Sequence, residues 1–262
     1  ALLAYHRNRY VPGNTVVAAA GSVDHHRLAG LSAEQGAKRA RPPARAPRPR
    51  LLLSEAPAPT VEFVRKDTEQ YHVCVGAAGL ARSDERRFAA SVLDNVLGGS
   101  ASSRLFQEIR EKRGLVYTIT SYHTAYREGG LLVIYGAMSP SAAPEVTTLI
   151  LQEIEKIKDG ISPAELQRAK ESYKGAVMLS LESTGSRMSR LARSQIYYGR
   201  QISLDEFLAR IDAVTTEQVQ AMAQEVLVPQ RMAMAAIGPF RNDGRLAAAL
   251  QEAFRAESTA TT

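Results

Sequence analysis

Apolar residues recur along this chain at two spacings, alternate positions in some stretches and three-to-four residues apart in others, and the two periods fall into blocks. Residues 70–79, 115–124 and 130–137 read as strands, the last two joined around Arg127-Glu128-Gly129-Gly130 as a hairpin. Phe88, Val92, Leu93, Val96 and Leu97 gather on one face of a helix predicted over 84–97, and Gly98-Gly99 breaks it. A second, short helix is predicted from about Ser102 to Lys112, with Gly114 placed to end it.

Beyond the hairpin the period is helical throughout. Val146, Leu149, Ile150, Ile154 and Ile157 form an apolar stripe that Asp159-Gly160 stops. Ser162-Pro163-Ala164-Glu165 is a capping box with proline at the first helical position, so the next helix starts there and runs to about Leu179. Another helix spans about 181–198. Ser203 with Glu206, and Thr215 with Gln218, repeat the capping-box spacing. Val219, Met222, Ala223, Val226 and Leu227 mark the last full helix before a returning strand. Strands, then helices, then one strand describe an α+β fold: an antiparallel or mixed sheet with helices packed on one face.

The returning strand has an earlier counterpart. Val11-Pro12 leads through an apolar run to Gly21, and Val228-Pro229 does the same to Gly238, an offset of 217 residues (229 minus 12). Each copy precedes a predicted helix, near 24–36 and 240–255. The expected organisation follows from this repeat. Residues 1–40 are the end of a first homologous domain, 41–59 a linker, 60–255 a complete second domain and 256–262 a tail. Thr15–Ala20 would be a strand whose sheet neighbours are missing, and so mobile or paired with another chain or copy.

At 45% hydrophobic residues the chain can bury a sizeable core, filled by aliphatic side chains because tryptophan is absent. The net charge of +6 is local. Lys38, Arg39, Arg41, Arg45, Arg48 and Arg50 supply six positive charges in a proline-rich stretch without acids, which leaves zero for the rest. That composition fits a solvated linker and removes the basic, aromatic-rich face that nucleic-acid binding needs. No apolar run approaches the roughly 20 residues of a membrane span, and no signal peptide is visible, so a cytoplasmic location without membrane contact is expected. The single cysteine, Cys74, lies in an apolar strand and reads as a buried small hydrophobe.

The five histidines lack metal-ligand spacing. None of His6, His25, His26, His72 and His123 is preceded or followed by glutamate, so neither His-Glu-x-x-His nor its inverse occurs. His25 and His26 are adjacent on a predicted helix and diverge too far to chelate together. His72 and His123 on strands read as structural. The nucleophile-elbow and phosphate-loop patterns are absent as well. Arg110 and Tyr117 remain, seven residues apart across a helix-to-strand junction. A planar, permanently charged donor fork and a neutral phenol can address peptide carbonyls, or the oxyanion formed when one is attacked. A surface arginine and an inward strand tyrosine would explain the same pair structurally.

Several landmarks then stand together: Tyr10-Val11-Pro12 with Ala20 to Asp24, Glu69-Gln70-Tyr71-His72, Leu97-Gly98-Gly99, Gly175 to Glu182, and Gly238-Pro239. Central among them is Ser103-Arg104-Leu105-Phe106 followed by Arg110 through Tyr117. In these the chain resembles the pitrilysin/insulinase family of zinc metallopeptidases, specifically the compact bacterial relatives of mitochondrial processing peptidase. The resemblance implies two homologous α+β domains around a chamber. The first carries zinc; the second carries an arginine and a tyrosine that reach the bound peptide, here Arg110 and Tyr117. It implies zinc for the complete enzyme and none in this chain, which lacks the motif and is expected to be inactive alone. The implied partners are a peptide or protein substrate and a zinc-bearing half or subunit, or a second copy. The fragment, cleaved-piece and separate-subunit explanations all fit. A catalytically inactive structural subunit of a larger complex, like respiratory-complex core proteins of the same family, is the alternative, and an interaction module built on the basic linker a third.

Overall fold

A computed structural model describes residues 1–38, 60–228 and 231–239. The greater part of the basic linker, the helix expected at 240–255 and the tail lie outside the described residues. The chain divides into two compact units, one of residues 1–51 with 176–204, the other of 52–175 with 205–262.

The larger unit is built on a five-stranded sheet in the order β1-β5-β2-β4-β3. The strands are β1 (Thr60–Arg65), β2 (Tyr71–Gly79), β3 (Val116–Ala125), β4 (Gly130–Met138) and β5 (Ala233–Gly238). β3 and β4 form the expected hairpin, β4 pairs antiparallel with β2, and β2 antiparallel with β5. Only β1 runs parallel to its neighbour, β5. β1 was not foreseen: its Val61 and Phe63 alternate inward over too short a run to stand out beside the proline-rich stretch.

Alternation decides which side chains are buried. Tyr71, Val73, Val75 and Ala77 of β2, Leu132 and Ile134 of β4, and Met234 and Ala236 of β5 all point to one face. Against that face pack α3 (Arg87–Leu97), α4 (Ala143–Lys158) and α8 (Thr216–Val226), and every apolar stripe residue singled out above is buried. The caps behave as expected. Ser162 and Glu165 exchange reciprocal backbone hydrogen bonds at the start of α5 (Pro163–Ser180), and Thr215 and Gln218 close a full capping box on α8. α7 (Leu204–Asp212) adds Phe207, whose ring tilts against Phe88 and Tyr173.

The smaller unit holds α1 (Leu2–Arg9), a 3₁₀ turn (Pro12–Asn14), α2 (His25–Ala37) and α6 (Thr184–Tyr198). Asp24 caps α2 through the Arg27 amide at 2.6 Å, and Ser183 caps α6. No residue of α1 or α2 is buried. The predicted strand Thr15–Ala20 has no regular secondary structure and joins no ladder among the described residues. The apolar period is therefore present there without the hydrogen-bonding neighbours that make a strand.

Candidate functional site

The segment 98–117 begins where α3 ends. The amides of Gly98 and Gly99 both donate to the Asp94 carbonyl, at 3.0 and 2.9 Å. A Cβ on Gly98 would lie 2.5 Å from the Ser121 amide nitrogen, so only glycine lets the helix end approach edge strand β3 this closely. Ser121 completes the junction by donating to the Asp94 carboxylate at 2.5 Å. Burial pushes the Asp94 carboxyl up to about 6, and the Ser121 hydrogen bond offsets part of that rise.

The predicted helix over 102–112 is present but underwound and widened. From Phe106 to Glu111 it is π-helical, with the Lys112 amide donating to Gln107, five residues back, at 3.0 Å. Leu105 and Ile109 are fully buried and anchor the turn. Gly114 ends it in the left-handed region, at φ 63°. There its amide donates to the Arg110 carbonyl and the Leu115 amide to the Ile109 carbonyl. The chain passes directly into β3, which carries a bulge between Val116 and Thr118. Tyr117 occupies that bulge.

Arg110 and Tyr117 both reach solvent. Tyr117 is 75% exposed, so the inward-strand explanation fails for it. Arg110 lies with its guanidinium carbon 4.8 Å from the centre of the Phe106 ring, which holds the side chain without using its N–H groups. Its neighbours are spent elsewhere. Arg104 makes a two-pronged pair with Glu165, at 2.8 and 3.2 Å. Lys112 and Arg113 both bind Glu108, and they hold that carboxyl down at about 2. Among the described residues, Arg110 alone of the basic side chains from 104 to 113 has no carboxylate partner.

The histidines are accounted for otherwise. His72 Nδ1 lies 2.8 Å from the Tyr135 hydroxyl. His123 Nε2 accepts from the Leu80 amide at 3.2 Å, and burial with the nearby Arg82 charge lowers its pKa. Cys74 is half-buried, and burial raises its thiol. Among the described residues no three His, Cys, Asp or Glu side chains converge as metal ligands. The donors on the described residues therefore do not assemble a zinc site. No described helix is long and apolar enough to cross a membrane.

Sequence reasoning found Arg110 and Tyr117 but not the bulge, the π-helical turn, the Phe106 platform or the Asp94–Ser121 tie. Two of these left a trace. Val116 and Ile119 are both inward yet three apart, which breaks the period of two. Phe106 stands four residues before Arg110, where side chains meet on a helix.

Comparison with known proteins gives consistent answers. A family model described as the peptidase M16 inactive domain matches residues 1–173. An uncharacterized zinc protease of Streptomyces coelicolor is 39% identical over 243 residues, 91% of this chain and 53% of that protein. One from Bacillus subtilis is 37% identical, again over 91% of this chain and 57% of its own length. The chain thus spans about half the length of the curated relatives it matches. A protease from Helicobacter pylori has the same fold at a TM-score of 0.81 and 20% identity, covering 90% of this chain and 58% of that one. So does a chain of complex III from Candida albicans, at 0.76 and 20%, covering 95% and 61%. With two thirds of its length matched by that model and relatives near 40% identity, this chain belongs to the family of the peptidase M16 inactive domain, as its resemblance to the pitrilysin/insulinase metallopeptidases implied.

Proposed function

We propose that this chain is the non-catalytic, substrate-gripping half of a zinc metalloendopeptidase, and that Arg110 and Tyr117 are the groups that hold the peptide. The observation that carries this is the uncommitted state of both side chains. Arg110 is steadied over Phe106 with its donors unused, and Tyr117 is lifted out of an edge strand by a bulge. π-helical turns and bulges each insert one extra residue, cost local regularity, and cluster at functional sites. Here the two irregularities flank one short connection, 112–115.

The chemistry is positioning and charge stabilisation. The guanidinium offers two parallel N–H donors to a peptide carbonyl, and these strengthen as negative charge develops on that oxygen. The phenol hydroxyl adds a neutral donor or acceptor. The relatives are named zinc proteases, no zinc ligand set is present among the described residues, and this reading assigns the hydrolytic step to the other, zinc-bearing half. Under this reading residues 1–40 are the end of the zinc-bearing domain, 60–255 the second domain, and the partner is that missing half.

The test is turnover of the complete protein, zinc-bearing half included. Arg110→Ala should lower kcat/KM by about 10²-fold, the loss typical of one oxyanion contact, with an unchanged Tm. Unchanged turnover would leave Arg110 a surface residue and favour a structural subunit.

A further inference from the structure

The sheet has two faces with opposite chemistry. Helices cover the face of Val73, Ile134 and Met234. The other face, which alternates with it, carries Thr118, Thr120 and Tyr122 of β3, Val133 and Tyr135 of β4, and His72 of β2. These side chains are exposed or half-buried. By register, Glu62 of β1 is the only Asp, Glu, Lys or Arg on this face among the described residues, in a chain whose charged fraction is 23%. An antiparallel sheet that turns one face to water normally alternates apolar-in with polar or charged-out. Apart from Glu62 this face instead carries no Asp, Glu, Lys or Arg, and its polar groups on β3 and β4 are hydroxyls, with the His72 imidazole beside them on β2. Those of Thr118 and Tyr122 have no partner among the described residues, while Tyr135 is tied to His72 at 2.8 Å.

We propose that this face takes an extended, uncharged stretch of the peptide substrate and selects against charge there. The inference rests on the substrate-gripping reading above and adds the class of peptide. The argument is one of charge matching. A lysine or glutamate side chain laid on the β3–β4 side of the face, at the opposite edge of the sheet from Glu62 on β1, would lose hydration and meet no counter-ion on the strands there, which costs free energy. A neutral segment loses little, and free hydroxyls supply donors and acceptors for its peptide groups. The face is also continuous with the bulge that presents Tyr117, so a segment lying on it reaches the proposed grip. Selection by unpaired charge is how a neutral surface discriminates without new attractive contacts.

The experiment is fluorescence anisotropy with this chain and two labelled peptides. One is composed of Thr, Val, Ala and Tyr, and the other has two central residues changed to Lys. The neutral peptide should bind about tenfold more tightly. Val133→Asp should reverse that preference, and Tyr122→Asp, on the edge strand and 45% exposed, supplies the same charge if Val133→Asp fails to fold. Equal affinities, no binding of either peptide, or a ratio unmoved by a folded Asp variant would each overturn the proposal. So would a dimer, seen by sedimentation, that the Asp variant dissociates, because the face would then belong to a second copy. Arg110→Ala should weaken both peptides alike. If it affects neither while the Asp variant still swings the ratio, the grip reading fails and the neutral face stands.

Discussion

Thr15–Ala20 and β5 are two copies of one sequence pattern with different outcomes. In β5 the alternating side chains of Met234 and Ala236 are buried, and the backbone is paired on both sides, with β1 and β2. In the earlier copy Val17 is 60% exposed and no ladder forms among the described residues. The difference lies outside the repeat. A strand's amides and carbonyls need partners, and here the apolar run joins no ladder among the described residues and is at most half-buried, at Ala18 to Ala20. The same contrast separates the helices. α4 buries Val146, Ile150, Ile154 and Ile157 under the sheet, whereas α2 buries nothing.

The largest effect that would break this comparison is in the core. Ile154 is fully buried, so Ile154→Ala should cost about 2–5 kcal/mol in urea unfolding. Val17→Ala, in the unpaired copy, should stay within about 0.5 kcal/mol. Equal losses would mean that Thr15–Ala20 is as well packed in this chain as the sheet unit.

A smaller effect concerns the α3–β3 junction. The Asp94 carboxyl is raised by burial, so the folded state binds its proton more tightly than the unfolded chain does. The associated stability is fully present below the ordinary aspartate value and is lost as pH rises through about 6. Asp94→Asn keeps an acceptor for Ser121 and removes the charge. It should therefore stabilise the protein by about 1–3 kcal/mol at pH 8 and hardly at all at pH 4. A variant less stable at both pH values would show that the carboxylate is needed as such.

His123 works with the opposite sign. Its lowered pKa means that stability is present above the ordinary histidine value and lost as pH falls through the folded one. Protonation would remove the acceptor of the Leu80 amide, so the protection of Leu80, relative to the intrinsic rate at each pH, should fall in acid ahead of that in β5. Smallest in energy but clearest in contrast, amides at 16–20 should exchange at close to the unprotected rate for each pH while those at 234–237 stay protected. Uniform protection in a monomer would erase the difference between the copies.

What could be read from the sequence follows the same line. Core helices were legible because Phe88 to Leu97 and Val146 to Ile157 each place apolar residues on one face, and burial rewards that face directly. The hairpin and the capping boxes at Ser162 and Thr215 were legible from local turn and cap chemistry. β1 was not, because its assignment comes from parallel pairing with β5, far away in the chain. For the site, residue chemistry singled out Arg110 and Tyr117. Their availability depended on where the neighbouring charges found partners: Arg104 on Glu165, Lys112 and Arg113 on Glu108. The Glu108 pairs are local, but the Arg104–Glu165 pair joins segments 61 residues apart, and neither it nor a bulge set by the β3–β4 register carries a local signature strong enough to predict.

The most direct measurement is a double-mutant cycle on the complete protein, with Arg110→Ala, Tyr117→Phe and the pair compared by kcat/KM. If both groups hold the same part of the substrate, each single change lowers turnover and the double variant falls well short of the product of the two losses. Two losses that simply multiply, or none, would contradict a shared grip.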